Sequence, residues 1–105
     1  MASWLQKQGA VILERNYSCR FGELDIIAQK GEYLLFVEVK TRTLQSAFYP
    51  AGAAVTAAKR KKLILAAQSY CQEHVSSLQP RFDVAEVYVC PDKKARLNYM
   101  ENAFE

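Results

Sequence analysis

Gly22-Glu23-Leu24-Asp25-Ile26-Ile27-Ala28, Lys30-Gly31-Glu32 and Tyr33-Leu34-Leu35-Phe36-Val37-Glu38-Val39-Lys40-Thr41-Arg42 follow one another along the chain, and their reading decides the fold. The first run alternates acid with aliphatic, which predicts a strand with Glu23 and Asp25 on one face and Leu24 and Ile26 on the other. Lys30-Gly31-Glu32 supplies a turn whose glycine tolerates positive φ. From Tyr33 to Lys40 the chain is apolar on both faces until Glu38, the pattern of a central strand covered on both sides. Glu38 and Lys40 then share a face, where burial is costly unless each meets a partner or an ion. A hairpin closing across Gly31 brings Asp25 toward that face. Carboxylates beside a lysine suit Mg2+, which takes one or two carboxylates and keeps several waters.

A bare Glu-x-Lys arises by chance on the order of 0.4 times per 100 residues when each residue type makes up about 6% of a chain. Alone, Glu38 and Lys40 read as strand-end charges reaching solvent. The upstream Gly-Glu-x-Asp strand, the buried approach and the basic helix that follows give the pair its weight.

The chain has 105 residues, half of them hydrophobic, which allows one domain (residues 1–105) with a modest core. Fourteen basic against eleven acidic residues give a net charge of +3, a mild lean toward polyanions. Cys19, Cys71 and Cys90 lack metal-ligand spacing and read as buried, reduced thiols. There is no apolar leader at Met1 to Gly9 and no stretch of the roughly 18 apolar residues that span a bilayer, so a soluble cytoplasmic protein is expected. His74 is the only histidine, placed to cap or decorate a helix end, which leaves a multi-histidine metal site or a conventional Ser-His-Asp triad with little support. Walker, dinucleotide and CxxC motifs are missing. Carboxylates plus lysine are the chemical equipment that remains, and metal-assisted hydrolysis of a phosphodiester fits them.

In chain order, Ser3 to Gln8 reads as a short helix closed by Gly9, with Trp4 and Leu5 inward. Ala10 to Asn16 reads as a strand and Asn16 to Phe21 as a polar, aromatic connection. There Arg15, Arg20, Tyr17 and Phe21 suit either phosphate and base contacts or an ordinary solvated turn. Thr43 to Pro50, with Phe48 and Tyr49, reads as a loop. A long helix begins near Thr56, and Leu63, Ala66, Ala67, Tyr70 and Cys71 form its core stripe. Lys59, Arg60, Lys61 and Lys62 crowd its first turns, where the macrodipole opposes cations by up to roughly 1 kcal/mol each. They are either a solvated basic face or, with free amide hydrogens, an anion site. Gln79-Pro80 closes the helical region. Arg81 to Cys90 reads as a strand, Pro91 to Lys94 as a turn and Ala95 to Met100 as a final edge strand. The order is α-β-β-β-α-β-β, an α/β fold with a mixed five-stranded sheet.

Asn16, Gly22 to Ala28, Phe36 to Arg42, Val55-Thr56 with Lys59, Arg81-Phe82-Asp83 and Glu101-Asn102-Ala103-Phe104 together resemble the YraN-like family. That family is similar to archaeal Holliday-junction resolvases, within the restriction-endonuclease-like, or PD-(D/E)XK, nucleases. The resemblance implies Mg2+ or Mn2+ on Asp25 and Glu38 with the Val39 carbonyl, and Lys40 acting on the attacking water and the developing charge. Glu23 joins these as a catalytic candidate. Arg15, Arg20, Arg42, Thr56, Lys59, Arg60 and Lys62 are the nucleic-acid-binding candidates. The expected activity is hydrolysis of DNA phosphodiesters, with branched, junction or single-stranded DNA as candidate partners and a homodimer as the candidate assembly. Relatives usually carry a Glu on the first helix, upstream of the residues matching Trp4-Leu5. This sequence begins too late to contain that position, so either native residues precede Met1 or the ligand has been lost; a loss would favour the rival expectation, a non-catalytic nucleic-acid-binding module that keeps the nuclease fold.

Overall fold

Three strands joined by two tight turns lead into one crossover helix, and that order fixes the sheet. The computed structural model describes residues 1–43, 56–74, 76–89 and 95–104. The elements are α1 (Ala2–Lys7), β1 (Val11–Cys19), β2 (Gly22–Lys30), β3 (Tyr33–Thr43), α2 (Ala57–Glu73), β4 (Gln79–Val89) and β5 (Ala95–Phe104). The strands form one open sheet in the order β1-β2-β3-β4-β5, a mixed α/β architecture. β3 and β4 run parallel, as the α2 crossover requires, and the other neighbours are antiparallel. Loop positions Phe48 and Tyr49, with Val55, Cys90 and the Pro91 to Lys94 turn, lie outside the described residues.

Gly31 adopts φ 58° in the two-residue turn between the paired Lys30 and Tyr33, so the hairpin closes where the sequence places it. α1 ends in the pattern that a left-handed glycine permits. Gly9 sits at φ 92°, its N–H donates to the Gln6 carbonyl, and the Ala10 N–H donates to the Leu5 carbonyl. This closure, with Leu5 buried beneath it, anchors a helix too short to persist alone.

The sheet separates two apolar layers. On one face Ile27, Leu34, Phe36, Phe82 and Val84 pack against Leu63, Ala66, Ala67 and Tyr70 of α2. On the other Ile26, Ala28, Leu35, Val37 and Ala85 pack with Leu5 and Ala10. β3 alternates between the layers and is buried on both sides from Leu34 to Val37. Each fully buried aliphatic or aromatic side chain contributes about 1.5–3 kcal/mol, so this strand is the densest part of the core.

Four details depart from the sequence expectation. β1 runs on through Tyr17 to Cys19, so Asn16 to Phe21 is a strand plus a turn rather than a connection. Leu24 packs in the α2 layer and Ile26 in the other, so the expected alternation breaks at Asp25. The break lies across from Asn16, whose backbone takes φ 53°. α2 ends at Glu73 and β4 begins at Gln79, so Gln79-Pro80 opens a strand. Finally, β5 extends to Phe104, because Asp83 captures its last turn of chain.

Asp83 is 0% exposed and holds four hydrogen bonds. The Arg81 guanidinium donates to both its oxygens, Nε to Oδ1 at 3.0 Å and Nη2 to Oδ2 at 2.9 Å. The Tyr99 hydroxyl donates to Oδ2 at 2.6 Å and the Asn102 N–H to Oδ1 at 2.9 Å. The β4–β5 register shifts between Phe82 and Val84, and Asn102 takes φ 51°, so the carboxylate replaces a ladder carbonyl at a bulge. Burial and then the Asp83 bond push the Tyr99 phenol far above its usual pKa, and its ring stacks 5.0 Å from Trp4 of α1. Asp83→Ala would leave a mostly buried guanidinium, a phenol and an N–H without their acceptor. We expect it to cost about 3–5 kcal/mol, seen as a lowered urea midpoint at unchanged m-value; a loss within 1 kcal/mol would refute this role.

Candidate functional site

Glu38 lies on the α2 face of β3, following Leu34 and Phe36 at strand spacing. It is buried, yet charged, and its environment answers that. Oε1 meets Lys59 Nζ at 2.9 Å and Lys40 Nζ at 3.2 Å, one ammonium from the first turn of α2 and one from the same strand face. The α2 helix is set for this by Thr56, whose hydroxyl accepts the Lys59 N–H at 3.2 Å as an N-cap. Burial opposes the charge on Lys59. The Glu38 carboxylate, in contact with its ammonium, and the nearby Asp25 outweigh it and raise the Lys59 pKa.

Asp25 reaches the same place from β2. The β2–β3 ladder is recorded as far as Ile26 and Val37, and beyond it the Asp25 Oδ2 accepts the Val39 N–H at 2.8 Å. Burial pushes the Asp25 carboxyl above the usual range, the Val39 bond pulls it back, and the charge of Glu38 pushes it up again. A carboxylate whose ionisation is opposed by burial and by a second carboxylate is the arrangement a cation relieves.

The remaining candidates divide. Glu23 is exposed near the start of β2, opposite Ser18, and its charge is the weakest of the effects that act on the Asp25 pKa. Arg15 pairs with Ile26, which puts it on the face opposite Glu38. Arg20 stays in the β1–β2 turn, exposed, its guanidinium 4.7 Å from the Phe21 ring. Arg60 stands 5.7 Å from the Phe104 ring, and Lys62 is exposed. The Arg42 side chain lies outside the described ones. The geometry thus gathers Asp25, Glu38, Lys40, Val39, Lys59 and Thr56, and leaves Glu23, Arg15 and Arg20 outside. His74 caps α2 as expected, its Nδ1 3.2 Å from the Tyr70 carbonyl.

Sequence reasoning passed over Glu86. It is fully buried on β4 and stands beside Lys40 in the β3–β4 register. The signal was present: Phe82-x-Val84-x-Glu86 puts a carboxylate on a core-facing stripe.

Among the described residues, no three of His, Cys, Asp and Glu form a group that could hold a metal ion. Asp25, Glu38 and the Val39 carbonyl nonetheless fit a hard cation of the Mg2+ type, which is satisfied by one or two carboxylates. Among the described residues no helix is long and apolar enough to cross a membrane.

Asp25 also gives the site a pH signature. Its folded pKa is raised, so the protonated form contributes stability at low pH that is lost as pH rises through that value. Asp25→Asn keeps an amide oxygen for the Val39 N–H and removes the charge. We expect the variant to be more stable than the wild type at pH 7, with the difference vanishing as pH falls below the ordinary Asp value of about 3.9. Urea midpoints across pH test this, and a variant less stable at pH 7 would contradict it.

The family described as Uncharacterised protein family UPF0102 matches residues 1–87. A UPF0102 protein of Caldanaerobacter subterraneus subsp. tengcongensis is 42% identical over 106 residues, covering 98% of this chain and 86% of the relative. One from Symbiobacterium thermophilum is 45% identical over 104 residues, covering 98% and 87%. One from Nitrosomonas europaea is 38% identical over 104 residues, covering 99% and 86%. With most of its length matched by the family and by relatives of this similarity, the chain belongs to UPF0102, the YraN-like family.

Proposed function

We propose that this chain is a metal-dependent, endonuclease-like protein that hydrolyses DNA phosphodiesters, with branched or single-stranded DNA as substrate. The observation that carries the reading is the meeting of Asp25, Glu38 and Lys40 at one end of the β2–β3 hairpin, with the first turn of α2 above them. The mixed five-stranded sheet with its crossover helix is compatible with that reading. In this reading Asp25 and Glu38, with the Val39 carbonyl, hold Mg2+ or Mn2+. When bound, the ion polarises a phosphoryl oxygen and lowers the pKa of water.

The side chains do the rest. Lys40 orients the attacking water and donates to the phosphoryl oxygen on which charge grows. Lys59, held charged, adds a second cation next to that oxygen. A P–O bond forms to water, which gives up a proton to solvent, as the opposite P–O bond breaks, and the departing alkoxide takes up a proton from solvent. Thr56 keeps Lys59 in place by capping α2.

Cleavage of branched and single-stranded DNA in Mg2+ or Mn2+ tests this. Lys40→Ala and Asp25→Ala should each lower the rate by about 10²-fold or more, and equal activity in wild type and variants would mean a contaminant.

A second reading, a binding module without catalysis, draws on the two ammonium groups already seated on Glu38. Calorimetry with Mn2+ separates the two. A working site binds the ion and gains about 2.7 kcal/mol of stability at 100 times Kd. A degenerate one gives no heat while retaining salt-dependent DNA affinity.

A further inference from the structure

α2 lies chiefly over β2 and β1, so the same face of the sheet is less covered at β4 and β5. A groove of about 820 Å³ opens there, within the roughly 300–1,000 Å³ usual for small-ligand sites. Its floor is aromatic. Phe36 stacks on Phe82 with centroids 5.5 Å apart, and Phe82 stacks on the half-buried Phe104 at 5.0 Å. One wall is a stripe of α2, with Ile64, Gln68 and Cys71 at helical spacing. Arg60 belongs to the same stripe, one turn before Ile64, and holds its guanidinium 5.7 Å from the Phe104 ring. Polar ends are few and suited to a base edge: the amides of Gln68, Gln79 and Asn102, all exposed.

We infer that this groove is a subsite for one unpaired nucleobase of the DNA strand whose phosphodiester lies at Glu38 and Lys40, the base packing against the ring of Phe104 with Arg60 at the mouth beside it. The inference rests on the endonuclease-like reading above and names what that site takes: a strand with an unstacked nucleotide. Three features select this occupant. Phe36 in the floor precedes Glu38 by two residues on one strand face, a rise of about 7 Å, so groove and site are a nucleotide or two apart. A flat aromatic floor with amides at its rim matches the way single-stranded bases are held, by stacking plus hydrogen bonds to their edges. The cation at the mouth, on the side of the basic first turns of α2, complements a phosphate backbone entering from the site.

The test uses a single-stranded oligonucleotide carrying 2-aminopurine, bound to the full chain with Lys40→Ala as background and no divalent metal added, so that cutting is suppressed. Stacking on Phe104 should quench the probe at one position severalfold. Gln68→Trp, a substitution at an exposed helix position that fills the groove, should abolish the quench and weaken single-strand affinity about tenfold, with affinity for a blunt duplex unchanged. Phe104→Ala should do the same, and Gln68→Trp covers the case in which Phe104→Ala unfolds. Quenching lost in Gln68→Trp supports the subsite even if the wild type cuts no DNA, in which case only the nuclease reading fails. Unchanged fluorescence and unchanged single-strand affinity in Gln68→Trp would overturn it. So would a chain that is dimeric in light scattering, becomes monomeric in Gln68→Trp and binds DNA as before, since a second copy would then occupy the groove.

Discussion

A carboxylate on the core face of a central strand must be neutralised or matched by cations, and Glu38 is in that position. The match comes from Lys40 on its own strand and Lys59 on α2, and this ties the start of the crossover helix to the middle of the sheet. Because α2 must begin here, its basic first turns gather over the end of the β2–β3 hairpin. The position of Asp25, the cap at Thr56 and the placement of Arg60 all follow from that constraint.

Two aspartates play parallel parts with different outcomes. Asp83 and Asp25 each accept a backbone N–H where a strand ladder is shifted or stops. Asp83 is saturated: guanidinium, phenol and amide fill both oxygens, and its place between β4, β5 and α1 is structural. Among the described residues Asp25 accepts one such bond, lies half-buried and feels Glu38, so its carboxylate keeps capacity for a further partner. Near the core, the saturated group holds the fold, and the less saturated one is the group on which the proposed chemistry draws.

The sequence made much of this legible. The hairpin, the order of elements and the meeting of Asp25 with Glu38 and Lys40 could be read from strand periodicity and one glycine turn, because burial enforces a period of two wherever both faces are covered. Lys59 was visible as a basic residue against the helix dipole, but not as the partner of Glu38, since pairing across a crossover depends on how far α2 slides along the sheet. The break of alternation at Asp25 was illegible because it depends on the left-handed Asn16 across the ladder. The face that Arg15 occupies, opposite to that of Glu38, was illegible because it depends on the bulge near Leu13. Asp83 and Glu86 were each written as an acid within an apolar strand. Periodicity gives the face such a residue occupies and leaves its partners unstated.

The parallel pairing of β3 with β4 also shapes how the chain reaches this structure. Every partner in that ladder lies 46 residues further along, whereas β1, β2 and β3 are joined by tight turns. The antiparallel triplet can therefore organise while the polypeptide is still being synthesised. The central ladder has to wait until α2 and β4 have been made, and its loop-closure entropy delays it further. In that interval the Glu38 edge of β3 is bare on its hydrogen-bonding side, which makes a charged residue amid the aliphatic run a guard against premature association with other chains.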